Sequence, residues 1–134
     1  MNTCIYSCLI FLTNALLAFK YGYNLLGLLF LLVTISSVYH HSNYTTLSFI
    51  IDQIFVISIT LYGFYEFNNK CLECAYDEKI LSKLIIVSCI LTNFVFYFYG
   101  KSCDKYCFDK KYGYYYHSLL HCLASLSYHA VIIM

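Results

Sequence analysis

Residues 36–52 read SSVYHHSNYTTLSFIID. An apolar run ends in Ser36, Ser37, His40 and His41, a short polar link follows, and the next run carries Asp52 about one turn inside. The link Ser42–Thr46 has room only for a tight helical hairpin. Two apolar helices therefore meet here, with their polar residues gathered at the turn. Ionisable side chains in membrane-type segments are expensive and usually functional.

Working outward, the rest of the chain is of the same kind. Only 11% of its 134 residues are charged and 61% are hydrophobic, whereas a soluble domain carries roughly 25% charged residues. So little charge does not cover a globular surface. A helical span needs about 20 mostly apolar residues, and five segments meet or approach this: 4–19, 23–41, 47–65, 81–100 and 114–133. The expected fold is all-α, one polytopic membrane helical bundle of about five transmembrane helices, with the lipid bilayer as its surroundings. The first segment is short and contains Asn14; read instead as a signal-peptide core, it lacks a preceding Lys or Arg. We take it as a span. No repeat or second domain is evident, and a net charge of +1 provides no basic field for nucleic acid.

Residues 66–79 are the most polar stretch and read as a solvated loop, and 101–112 as a second loop rich in lysine. Lysines divide four against four between the two sides, so charge does not orient the chain. Proline is absent, which favours straight helices. The Tyr112–Tyr116 cluster reads as an interfacial belt. Of the eight cysteines, Cys89 and Cys122 lie in apolar runs as small hydrophobes. Cys71/Cys74 and Cys103/Cys107 fall in successive loops, on opposite sides, where each pair has the option of a disulfide. Cys4 and Cys8 share a helix face on the side of the histidines, with no metal role expected of them.

Alternating spans put His40, Asp52, His117 and His121 on one side, all within about two helical turns of the boundary. Ser36 and His40 are four residues apart, as are His117 and His121 in HSLLH, so each pair shares a face. Two histidines at this spacing chelate one ion, and a third from another helix makes a three-histidine site of the catalytic zinc type. Asp52 is the only acidic residue inside a span and stands where it would orient water beside the metal. Plainer readings exist: Asp52 as a helix N-cap or a lysine's partner, Ser36, Ser37 and Ser58 as bonds across helices, and His129 as a packed histidine with nothing paired to it.

Ser-x-x-Tyr-His at 36–40, Asp52 in the next helix and His-x-x-x-His at 117–121 together resemble the signature of the CREST superfamily. That superfamily includes alkaline ceramidases, progestin and adipoQ receptors, and hemolysin-III-type proteins. The resemblance implies Zn2+ held by His40, His117 and His121, with Asp52 and Ser36 as catalytic residues. Asp52 would be the general base and Ser36 would steady the oxyanion. It also implies a lipid substrate, cleaved at a ceramide-like amide. The family has seven helices; five are expected here. Ser37 and His41 keep the same spacing, eleven residues before Asp52 at His41. Ser36/His40 is preferred because Tyr39 provides the aromatic that the family places before its histidine. Two other readings stay open: a receptor-like or structural protein whose metal only pins helices, and a small viral-type channel with titrating histidines. Self-association is open as well.

Overall fold

The computed structural model describes residues 3–73, 79–102 and 113–134. It is 93% helical. Six helical segments follow in order: α1 (Thr3–Cys8), α2 (Ile10–Lys20), α3 (Asn24–Asn43), α4 (Thr46–Glu73), α5 (Ile80–Ser102) and α6 (Gly113–Ile133). There is no strand among the described residues, and the all-α bundle is as expected. The first two segments form one rod, Thr3–Lys20, interrupted at Leu9. There the backbone tightens, Leu9 N–H donating to Tyr6 O and Leu12 N–H to Leu9 O, each across three residues.

Four of the five rods are long and apolar enough to cross a bilayer: Thr3–Lys20, Asn24–Asn43, Thr46–Glu73 and Ile80–Phe98. The fifth, α6, has the length at 21 residues but falls outside that group. It carries His117, His121 and His129 together with Ser118, Ser125 and Ser127. It is also the hub of the bundle. Helix α6 packs against α1, α2, α4 and α5, while α3 lies between α2 and α4. A helix this polar belongs among neighbours that satisfy its hydrogen bonds rather than against lipid tails.

Leu26, Phe30 and Val33 of α3 pack with Phe11, Ala15 and Ala18 of α2, Ile59 of α4 and Ile132 of α6. Small residues let the rods approach, as membrane helix contacts require. A Cβ on Gly63 would strike the ring of Tyr128, whose hydroxyl donates 2.8 Å to Ile59 O of the facing helix. Helix α5 is peripheral: Ile86 packs with Val131 and Met134, while Leu81, Leu84, Leu91 and Val95 point outward as a lipid-facing surface would.

The α3–α4 hairpin is shorter than Ser42–Thr46. Only Tyr44 and Thr45 separate the helices, and Tyr44 closes α3 in the left-handed region at φ 48°. Thr45 caps α4: Thr45 N–H donates to Ser48 Oγ and Ser48 N–H to Thr45 Oγ1, both at 3.1 Å. This is the reciprocal pattern of a capping box. It takes the N-cap role that the plainer sequence reading gave to Asp52.

At the other end α4 continues eight residues past Tyr65, through Glu66–Glu73, which the sequence reading assigned to a loop. Lys70 gives the extension its use. Its Nζ donates 2.8 Å to Val131 O and 2.8 Å to Ile132 O, the last carbonyls of α6, and lies 4.8 Å from the ring centre of Tyr23. A cation at a helix C-terminus satisfies orphan carbonyls and opposes the helix dipole. Cys71 is accordingly helical and packed near Ile86, not in a loop. Cys74, Cys103 and Cys107 lie outside the described residues.

Candidate metal centre

The N-terminal rod, the α3–α4 turn and the start of α6 share one end of the bundle. Thr3 Oγ1 accepts a hydrogen bond from Ser118, and Cys4 Sγ lies 3.5 Å from Tyr114 O. The common depth expected of the polar residues is therefore present, and the N-terminal rod shares it.

On α3 the buried stripe runs Leu26, Phe30, Val33, Ser37, His41, at spacings of three and four residues. It selects His41. The His41 ring lies 4.8 Å from that of His117 and 5.6 Å from that of His121, and the latter two are 4.7 Å apart. His40, about 100° away around the helix, keeps its ring 5.1 Å from that of His41 but turns toward the start of α4. Its ring sits against Tyr44 and Phe49, and its Nδ1 is 3.2 Å from Ser48 Oγ. Ser48 spends its hydroxyl proton on Thr45 O, so His40 Nδ1 is the donor in that contact. His40 thus serves the start of α4, and it is His41 that lies among His117 and His121. Extending the α3 stripe, or weighing the eleven-residue interval to Asp52 above Tyr39, would have found it.

Asp52 is buried and bonded across to α3. Ser36 Oγ donates to its Oδ1 at 2.9 Å and Ser37 Oγ at 2.5 Å. Both serines, not Ser36 alone, hold the carboxylate. Ser37 and His41 are four apart on the same face, so the Ser37–Asp52 bond lies one turn along α3 from His41. Its two contacts are neutral hydroxyls, and among the described residues no lysine pairs with it.

One further donor belongs to the cluster. Ligand atoms of Cys8, His41 and His121 all lie within 4.8 Å of one another. Cys8 Sγ is 3.7 Å from His121 Nδ1; Ser7 Oγ, which like Cys8 Sγ donates to Cys4 O, accepts from the same nitrogen at 2.7 Å, which leaves His121 Nε2 as the nitrogen able to bind an ion. Cys8, of which no metal role was expected, therefore lies beside two of the histidines. A period of four from Cys4 to Cys8 was the only trace in sequence, and nothing there showed that α1 would dock on α6.

The donor set matches the chemistry of zinc. Imidazole nitrogens about 2.0–2.1 Å and a thiolate about 2.3 Å from a tetrahedral ion stand roughly 3.5 Å apart. On the same basis the ring centres of bound imidazoles stand about 5 Å apart. The three ring separations of 4.7, 4.8 and 5.6 Å lie close to the second figure, and the donor atoms that gather within 4.8 Å of one another are those of Cys8, His41 and His121, without His117. Nitrogen and sulfur donors suit zinc better than magnesium or calcium, which take oxygen.

His129 is not solitary, contrary to the sequence reading. His129 Nδ1–H donates to Ser125 O at 2.8 Å, Asn14 Nδ2 donates to the same carbonyl at 2.9 Å and lies 2.9 Å from Nδ1, and Ser125 Oγ donates to Asn14 Oδ1 at 2.5 Å. Thr13 Oγ1, which donates to Ile10 O, lies 3.3 Å from His129 Nε2. This network fastens α2 to α6. Comparison with protein-family models, curated proteins and solved structures returns no match.

Proposed function

We propose that this chain is a zinc-dependent membrane hydrolase of an amide-linked lipid, of the CREST type. One observation carries the reading: imidazoles from two helices converge beside a carboxylate that two serines hold. His41, His117 and His121 would hold the ion, with Asp52 beside it. Bound zinc supplies Lewis acidity and lowers the pKa of water at the site to about 7.

The chain's own contribution is orientation and proton handling. Ser36 and Ser37 both donate to Asp52 Oδ1, which fixes the carboxyl plane and leaves Oδ2 to take a proton from water and deliver it to the leaving amine. A serine hydroxyl beside the carbonyl would steady negative charge on its oxygen. Exposed Ile35, Leu47 and Ile50 flank this end of α3 and α4, so an acyl chain would approach from the lipid side.

The test is turnover of a fluorescent ceramide and of an N-acyl amide by detergent-purified, zinc-loaded protein. Cleavage is expected, and Asp52→Asn should keep one zinc per chain while turnover falls by roughly 10²–10⁴, the usual weight of a general base. No turnover of either lipid by zinc-loaded protein overturns the hydrolase reading.

A further inference from the structure

We infer that Cys8 is a fourth ligand of the ion held by His41, His117 and His121, closing the position that a zinc hydrolase leaves for water. This rests on the metal-binding part of the proposed function and not on lipid hydrolysis.

Three observations lead to it. Cys8 Sγ is buried, 3.7 Å from His121 Nδ1 and inside the group whose ligand atoms lie within 4.8 Å of one another. The break at Leu9 follows directly: the regular helical ladder gives way to bonds across three residues just past Cys8, so Ser7 and Cys8 end a turn that rests on His121. Cys4, one turn earlier, lies against Tyr114 O, level with the first turn of α6 and not with His121. Of the two thiols on this face, Cys8 is the one grouped with His41 and His121.

Charge balance favours the same assignment. A divalent ion with three neutral imidazoles and one thiolate carries a net +1, which the Asp52 carboxylate, bonded to Ser37 one turn along α3 from His41, cancels. Neutrality matters in surroundings where an unbalanced charge is costly. As the metal–sulfur bond forms the thiol proton leaves to solvent, since the thiolate is the ligand. Closed four-residue coordination is characteristic of structural zinc, while three protein ligands and an open position characterise catalytic zinc. Cys8 therefore acts as an internal competitor of water, and hydrolysis requires its displacement.

Cobalt(II) titration of the full chain in detergent tests this, because cobalt replaces zinc and reports sulfur ligation by an intense near-ultraviolet charge-transfer band. Wild type should bind one Co2+ per chain with that band. Cys8→Ser should bind without it, and more weakly than wild type by over the roughly 10–100-fold that outer-shell partners contribute. A chain in which the other seven cysteines are serine should keep the band, which removes dependence on the folding of a single variant. Cobalt binding that requires His41 but shows no band, or a band that survives Cys8→Ser, overturns the assignment and leaves the histidine site standing. Absence of any His41-dependent cobalt binding overturns both. The hydrolase reading is judged separately, by lipid turnover in Cys8→Ser beside wild type.

Discussion

Helix α6 carries two polar nodes two turns apart, one at His121 and one at His129, and they differ in the company each histidine keeps. Around His129 the partners bond to one another: Nδ1–H donates to Ser125 O, Asn14 lies against the same nitrogen, and Thr13 meets Nε2. Ser125 then completes Asn14. Around His121 a thiol, a hydroxyl and two further imidazoles crowd together, Ser7 and Cys8 both donating to Cys4 O, and the Asp52 carboxylate is held by serine hydroxyls. A histidine in an apolar helix is thus not a ligand by residue type. Its company decides: partners bonded among themselves are glue between helices, and converging donors beside a carboxylate are the arrangement from which a cation site is proposed.

The largest expected effect breaks the His121 node. His41→Ala should lower zinc affinity by more than about 100-fold, beyond what outer-shell partners contribute, as read by elemental analysis after dialysis. Chelation should lower the melting temperature of wild type in detergent, because a ligand of the folded state stabilises it by mass action, and should leave that of His41→Ala unchanged. If His41→Ala binds zinc like wild type, the contrast between the nodes fails.

Breaking the His129 node should do the reverse. Asn14→Ala strands Ser125 and His129, at a cost of about 1–2 kcal/mol for a buried membrane hydrogen-bond network. The melting temperature should fall while zinc content stays at wild-type level. Lost zinc in Asn14→Ala would show the two nodes to be one.

Smaller effects sharpen the comparison. Lys70→Met removes the cation from the last carbonyls of α6 and should cost about 0.3–1 kcal/mol, with no change in metal content. His40→Ala should be the mildest of all, a few tenths of a kcal/mol at the start of α4, with zinc affinity intact. Zinc loss in His40→Ala would restore the ligand assignment drawn from sequence.

Much of this was legible in the chain itself. The segments at 23–41, 81–100 and 114–133 correspond to α3, α5 and α6 within a few residues at each end. The α4 boundary was missed because hydropathy stops at Tyr65, whereas the helix is carried on by the bonds of Lys70 to α6. His129 read as solitary because its partners, Thr13 and Asn14, are over a hundred residues away.

Composition and spacing by themselves determined an apolar helical bundle and brought His117, His121, Asp52 and the paired histidines to one end, because segment length and alternation set depth. Helix phase was beyond their reach. Neighbouring residues differ by about 100° around an α-helix, so the packing of α3 against its neighbours decided between His40 and His41. The docking of α1 on α6 brought Cys8 to the cluster. Depth follows from counting residues along one chain, but rotation and docking follow only from which surfaces of separate helices fit together.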